Sequence, residues 1–492
     1  MDAELFAANS QATFLVYLNN QANLSTAFQV QDWDSRGSYA FHILKSTAQR
    51  SQSSLIDYLE NQRSSGSVSS FQPFYIVNAI SVTADLNVLN DIAARPDVAY
   101  IEAEQVFRIP EPIPADDLSI DAVEWGLSKI RADEVWADFD VRGEGIVVAN
   151  IDTGVQYDHP ALANQYRGAV TGSHDYNWFD PRGAATPYDN NGHGSHTMGT
   201  MVGTDGGSNQ VGVAPNAQWI AAKGCYSSSC TSSDLLASAE WVLAPYPVGG
   251  SPADGDPAMR PHVVNNSWGG GGGNLWYQAS VNAWRAAGIF PAFSAGNSGP
   301  GSGSVGSPGD YAESFASGAT DSSDVIASFS SRGPSSLTDE MKPDVSAPGV
   351  SVRSSWNNGS YHTISGTSMA SPHTAGCVAL ILSAAPGLDI TSIENLLMAT
   401  AIDLGSSGPD YTYGYGRIDC YAAVSEVGDS WLSVTPTSGS VPMENSQILT
   451  VTFDASGLTA GTYHASIDIL SNDPDEGLVT VSVTLTVQAG YD

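Results

Sequence analysis

Three stretches of this chain carry residue types whose chemistry is complementary. Gly366-Thr367-Ser368-Met369-Ala370-Ser371-Pro372-His373 sets a serine on a loop that runs straight into an apolar stretch, Ala375 to Leu382, after a strand-like lead at Tyr361–Ser365. A helix starting there offers N–H groups and a positive dipole end to an oxyanion formed beside the serine. A lone serine at a helix start reads as an N-cap. It becomes a nucleophile when a base takes its proton and a third group orients that base. Two upstream segments supply such partners. In Gly145–Gly154 an apolar run reads as a buried parallel strand with Asp152 at its end, the edge where α/β sheets build sites. In Asn191-Gly192-His193-Gly194-Ser195-His196 glycines let the backbone crowd His193 at the opening of a helix. Asp152, His193 and Ser368, in that order, could form and hydrolyse an acyl-enzyme.

At these residues the chain resembles the subtilisin-like serine proteases (family S8), which carry the triad in the order Asp…His…Ser. The resemblance covers roughly residues 120–428 and rests on I-D-T-G at Ile151–Gly154, N-G-H-G-S-H at Asn191–His196, S-A-G-N at Ser294–Asn297 and G-T-S-M-A-S-P at Gly366–Pro372. Within the family, Asn265–Gly270 (NNSWGG) and Ser238–Pro245 (SAEWVLAP) are most similar to the bacillopeptidase F type. The resemblance implies Ser368 as nucleophile, His193 as general base and then acid, and Asp152 as the group that holds the imidazole tautomer. It implies Asn297 as the side-chain oxyanion donor beside the Ser368 N–H. Read without the family, Asn297 is a turn residue in an N-S-G-P loop. Ser195, Thr197 and Met198 depart from the family's wording after the histidine, as packing changes.

For substrate binding the resemblance implies a pocket-edge strand at Ser267-Trp268-Gly269, where an extended peptide adds by β-type pairing. Ser294-Ala295-Gly296 would form the opposite wall and Gly306 the floor. A glycine floor implies a roomy pocket that takes large hydrophobic or aromatic residues before the cut. The family's tight calcium site lacks its pattern here. Ala161 stands where an aspartate belongs and the loop Thr204–Gly212 is cut short, while a hard cation needs about six to eight oxygens. No cofactor is expected, and Asp175, Asp180 and Asp189 could at most line a weak calcium site or a solvated acidic loop.

Rival readings are separable. An aspartic protease needs two D-T-G carboxylates and this chain has one. A catalytically silent binding scaffold would lose a triad member or Asn297, and none is lost. A peptide ligase on the same fold shares the acyl-enzyme and stays open.

Composition bounds the rest. At 492 residues two or three domains are expected, and 52 acidic against 18 basic residues argue against nucleic acid or an anionic membrane as partner. No stretch approaches the ~20 apolar residues of a membrane span. The expected partners are protein or peptide substrates and the chain's own N-terminal segment, in a monomer. Low lysine and abundant Gly, Ser, Asn and Thr suit a secreted protein, and since Met1-Asp2-Ala3-Glu4 opens no signal peptide, the signal is expected to have been removed. Four cysteines fit an oxidising compartment. Cys225 and Cys230 bracket a short polar loop and are expected to pair; Cys377 and Cys420 form either a second bridge or two buried thiols.

The fold class expected is α/β, a parallel sheet flanked by helices, with two appended units. Residues 1–115 read as a ferredoxin-like βαββαβ unit: a strand at Ala12–Leu18, a helix from Ser38 to about Leu59, a strand pair around Phe74–Val82, a helix at Leu86–Ala94 and Arg95–Ile101 leading into the last strand. The unit resembles the family's inhibitory propeptide, which implies a folding chaperone whose tail fills the cleft until self-cleavage within 109–120; a merely structural unit is the alternative. Residues 116–428 form the peptidase domain. Residues 429–492 change to alternating strands, at Leu432–Val434, Ile448–Phe453, Tyr463–Leu470 and Val479–Val487, and look like a small Ig-like β-sandwich.

Overall fold

Apolar runs without alternation become the strands of one all-parallel sheet, as both faces of such strands are covered. The computed structural model describes residues 10–109, 113–114, 123–428, 432–436, 439–441, 446–453, 455, 461–471 and 477–488.

The N-terminal unit consists of β1 (Ala12–Leu18), α1 (Trp33–Ser65), β2 (Val68–Phe74), β3 (Ala79–Ala84), α2 (Leu86–Ala93) and β4 (Val98–Ala103), with antiparallel sheet order β2-β3-β1-β4. Phe41, Leu44, Ala48, Leu55 and Leu59 form the buried face of α1, as their spacing predicts. The helix starts earlier than its apolar pattern because Asp32 caps it through the Ser35 N–H, and it ends at Gly66, which takes the left-handed conformation at φ 85°. The strand pair expected around Phe74–Val82 is displaced. Residues Tyr75–Asn78 form the turn between β2 and β3, and their apolar side chains are buried. An apolar turn mimics a strand in sequence; here it is apolar because it packs against the next domain.

Two further strands, β5 (Val106–Arg108) and β6 (Ile113–Pro114), lead to the central domain. Its sheet runs β14-β13-β12-β11-β7-β9-β8, built from β7 (Val147–Ile151), β8 (Trp178–Phe179), β9 (Gln218–Ala222), β11 (Val263–Asn266), β12 (Phe290–Ser294), β13 (Phe315–Thr320) and β14 (Val345–Pro348). Outside that sheet lie β10 (Ser229–Thr231) and the hairpin β15 (Val352–Ser355) with β16 (Tyr361–Ser365). The principal helices are α3 (His193–Val202), α4 (Ser232–Leu243), α5 (Gln278–Ala287) and α6 (Thr367–Ala384). Helix α6 is buried from Thr367 to Leu382, so its apolar residues surround it instead of forming one stripe. No helix among the described residues is long and apolar enough to cross a membrane.

The N-terminal unit docks through α1 onto α5 and through the Tyr75–Asn78 turn onto α4. At the start of α1 the Trp33 ring lies between the Arg260 guanidinium, 3.3 Å from its centroid, and the His262 ring, stacked at 4.5 Å. Arg36 completes that end by donating to the Ala286 and Arg285 carbonyls at 2.9 and 2.7 Å, the open C-terminus of α5.

At the other end of the chain, β17 (Leu432–Thr435) pairs with β18 (Thr450–Phe453), and β19 (Gly461–Leu470) with β20 (Leu478–Val487), both antiparallel. These are the alternating strands expected. Residues 437–438 and 472–476, between those strands, lie outside the described residues, as do most of residues 109–120.

Candidate active site

The sequence-predicted residues come from the carboxyl ends of neighbouring strands and the starts of two helices. Asp152 follows β7, Ser267 follows β11, Ala295 to Asn297 follow β12, His193 opens α3 and Ser368 lies in the first turn of α6. Asp152, His193 and Ser368 are all buried. The Asp152 carboxylate meets His193 Nδ1 through Oδ1 at 2.8 Å and Oδ2 at 2.9 Å. That contact puts the proton on Nδ1 and leaves Nε2 as the basic nitrogen. Nε2 has no hydrogen-bond partner among the described residues. Ser368 Oγ donates to the Ser267 carbonyl at 3.3 Å. The structure therefore brings Asp152 onto His193 but draws no Ser368–His193 hydrogen bond, a contact that tightens in many enzymes only once substrate is bound.

A row of polar side chains sets the two helices relative to each other. Ser371 Oγ donates to Asn265 Oδ1 at 2.7 Å, Asn265 Nδ2 donates to Asn150 Oδ1 at 3.1 Å, and Asn150 Nδ2 reaches Thr197 Oγ1 at 2.8 Å and the Gly194 carbonyl at 3.1 Å. The row runs from α6 across β11 and β7 to α3, buried throughout. A satisfied buried network of this kind fixes one geometry.

Asp189, read from sequence as a possible weak calcium ligand, has another task. Its Oδ1 accepts the Asn191 and Gly192 N–H groups and the Thr153 hydroxyl, each at 2.9 Å. Its Oδ2 accepts the Ser195 N–H at 2.9 Å and the Ser195 hydroxyl at 2.8 Å. The carboxylate thus ties the residue after Asp152 to the start of the His193 helix, although burial holds its pKa above the usual carboxylate range. Buried Lys223 donates to the Thr153 carbonyl and, at 2.8 Å, to Asn190 Oδ1; burial brings its pKa down to about 8. Asp175 and Asp180 are engaged elsewhere, with the Val248 N–H and with the Arg182 N–H and Tyr226 hydroxyl. No group of three potential metal ligands occurs among the described residues, so these three aspartates are not brought together.

Asn297 is oriented by its neighbour in the serine motif. Its Oδ1 accepts the Thr367 N–H at 2.9 Å and the Thr367 hydroxyl at 2.8 Å, while that hydroxyl accepts the Gly296 N–H at 3.1 Å. With Oδ1 engaged, the amide's donor end remains for another acceptor. A Cβ built on Gly366 would lie 3.2 Å from Asn297 Nδ2, so the donor points at the backbone leading to Ser368. The Ser368 N–H, in the first turn of α6, has no intrahelical acceptor. Together these form a two-donor cradle beside Ser368.

The residues expected to form the binding walls lie close to the serine motif. Ser267 Oγ donates to the Ser368 carbonyl at 3.0 Å, and Trp268, Ser294 and Ala295 are buried. Gly306 is constrained by backbone: a Cβ there would stand 2.2 Å from the Gly270 carbonyl oxygen. Glycine at this position is demanded by that close approach.

What occupies the edge is the chain's own residues 106–109 and 113–114. Strand β5 pairs antiparallel with β10, Phe107 opposite Cys230, and Arg108 bridges antiparallel to Gly269 on the other side. The Ile109 N–H donates to the Ser228 carbonyl at 3.0 Å. Beyond the undescribed residues 110–112, Ile113 pairs with Ser365 and Pro114 with Ile364 in β16, the strand that enters the serine motif. Phe107 is buried and stacks on Trp276 with ring centroids 4.5 Å apart, beside Trp268. Sequence reading missed Trp276, whose position in a Gly-rich loop carries no periodic signal. Both cysteine pairs, Cys225–Cys230 and Cys377–Cys420, are disulfides, which removes the alternative of two free thiols at the second.

Comparison with known proteins agrees with this geometry. Residues 143–416 match the family described as Subtilase family, and residues 418–487 match one described as Viral BACON domain, in place of the Ig-like module expected. The chain is 43% identical over 411 residues to Bacillopeptidase F of Bacillus subtilis (strain 168), covering 78% of this chain but 28% of that protein. It is 37% identical over 305 residues to Subtilisin DY of Bacillus licheniformis, covering 61% and 98%. Against Subtilisin E of Bacillus subtilis (strain 168) the identity is 34% over 354 residues, covering 71% and 81%.

Proposed function

The chain belongs to the subtilase family of serine endopeptidases, and from that premise we propose how its own residues hydrolyse peptide bonds and how the activity is held in check. Ser368 Oγ attacks the substrate carbonyl while His193 Nε2 takes its proton. Asp152 stabilises the imidazolium through Nδ1. The oxyanion is held by Asn297 Nδ2 and the Ser368 N–H. The tetrahedral intermediate collapses with the leaving amine taking the proton from His193, and water then repeats the sequence to free the acid. The observation that carries this reading is the Asp152–His193 contact at 2.8 Å.

The N-terminal unit is its inhibitory propeptide. Support comes from its tail, which pairs with β10 and Gly269 on one side of the serine motif and with β16 on the other. That is the path of an extended substrate, and it supports self-cleavage between Ile109 and Ile113. The Phe107–Trp276 stack supports a preference for aromatic residues at the corresponding substrate position. Substrates are proteins or peptides, and the enzyme acts outside the cell as a monomer, where its two disulfides are stable.

The test compares the wild-type chain with Ser368→Ala by intact mass and N-terminal sequencing. The wild type is expected to start anew between residues 110 and 113, and the variant to remain whole. A variant that matures equally well with no other protease present removes the self-cleavage reading.

A further inference from the structure

The short disulfide lies where the two halves of the site meet. Cys225 follows β9, and its N–H donates to the carbonyl of Asp152 at 3.0 Å. Five residues on, Cys230 sits in the middle of β10, opposite Phe107 of the seated tail. Both cysteines are fully buried.

The near arm of this loop is well anchored. The Tyr226 hydroxyl donates to Asp180, and the Arg182 guanidinium lies 3.5 Å from the Tyr226 ring centroid. The chain then turns through Ser227, at φ 53°, and closes with Tyr226–Ser229 backbone bonds of 2.8 and 3.1 Å. The far arm is β10. Its only partner strand among the described residues is β5 of the tail. With the tail gone, β10 is an edge strand held by its hairpin bonds, by Thr231 capping α4 through the Asp234 N–H at 3.1 Å, and by the Cys230 sulfur. An edge strand captures an extended peptide only in so far as it is already extended, because ordering it on binding subtracts from affinity.

Sequence separation points the same way. Cys377–Cys420 closes 43 residues, whereas Cys225–Cys230 closes 5. A loop that short removes less entropy from the unfolded chain, so a local role suits this bond better than a global one.

We propose that the Cys225–Cys230 disulfide is a specificity-determining element of the protease: it holds β10 extended so that the strand can pair with the residues before the cut in a protein substrate. The proposal rests on reading segment 106–109 as a substrate-like strand. It implies that long substrates depend on the bond and that a substrate too short to reach β10 does not.

The test uses enzyme purified after processing of the full chain, wild type and Cys225→Ser/Cys230→Ser. Two probes are compared: an internally quenched peptide copying residues 103–116, and p-nitrophenyl acetate, which acylates the serine without touching β10. The ratio of kcat/KM for the peptide to that for the ester is expected to fall about tenfold in the variant, the factor for ordering about one backbone residue, and the fall to lie in KM. An unchanged ratio, or equal losses on both probes, overturns the proposal. Wild type that hydrolyses the ester but not the peptide overturns instead the substrate-strand reading beneath it. Should the variant not fold, mature enzyme carrying Cys377→Ala/Cys420→Ala is reduced with a water-soluble phosphine. The phosphine becomes its oxide as the remaining disulfide takes up two hydrogens from water, and the same fall in ratio is expected.

Discussion

Glu240 accepts the backbone N–H of Tyr75 at 2.5 Å, and that of Ile76 at 3.2 Å, from the turn that seats the N-terminal unit. Burial pushes its carboxyl up to about 8 from 4.5, against the pull of the Ile76 and Tyr75 amides. Between those values the docked state holds a proton that the separated state has lost. Docking is therefore strongest below about pH 4.5 and weakens as pH rises towards 8. Release of the cleaved propeptide should accelerate from pH 5 to pH 8, followed as the lag before full activity, and Glu240→Gln should flatten that dependence. A lag that shortens towards acid would contradict the assignment.

Asn297 has its donor end chosen by Thr367. Asn297→Ala is expected to lower kcat by about 10²–10³ with little change in KM, since the donor acts on charge that appears only in the transition state. Thr367→Val keeps the Thr367 N–H on Asn297 Oδ1 but removes the hydroxyl that also holds it, and should cost up to roughly tenfold in kcat. Steady-state kinetics decide; a loss confined to KM would remove Asn297 from the oxyanion cradle.

Phe107 of the tail stacks on Trp276 with ring centroids 4.5 Å apart. Phe107→Ala should weaken inhibition by the released propeptide about tenfold or more, in line with loss of a buried ring and its stack. In a peptide library the substrate position that takes the place of Phe107 should favour aromatic side chains, and Trp276→Ala should flatten the profile there. Retention of the preference would send the search to another wall.

Arg353 donates to Asn209 Oδ1 at 2.7 Å, and the same loop is closed by Asp205, which accepts from Gly207 and Asn209. A guanidinium thus stands against the loop where the family's calcium pattern is missing. Chelator should leave the thermal midpoint unchanged, while Arg353→Ala, losing a charged hydrogen bond of about 1.5 kcal/mol, should lower it by a few degrees. A large drop with chelator, reversed by calcium, would reveal a tight site.

The positions of Asp152, His193 and Ser368 could be read from sequence because each sits in a recognisable local context: a strand end for Asp152, glycines around His193, a helix start for Ser368. The N-terminal βαββαβ order was equally legible from periodicity, which registers packing between near neighbours in the chain. Asp189 was visible as an acidic residue four positions before His193, but its role was not. A carboxylate's task depends on which donors converge on it, and Thr153 lies 36 residues upstream.

The sequence by itself singled out Asp152, His193 and Ser368, the parallel sheet and the strand and helix order of the N-terminal unit, since these follow from residue type and local spacing. Tertiary structure alone decided which groups hold them: Thr367 turning Asn297, Glu240 taking the Tyr75 amide across 165 residues, Arg260 and His262 enclosing Trp33, and Trp276 receiving Phe107. Those choices depend on surfaces that exist only once distant segments have packed. No local pattern encodes a contact whose two halves lie in different domains.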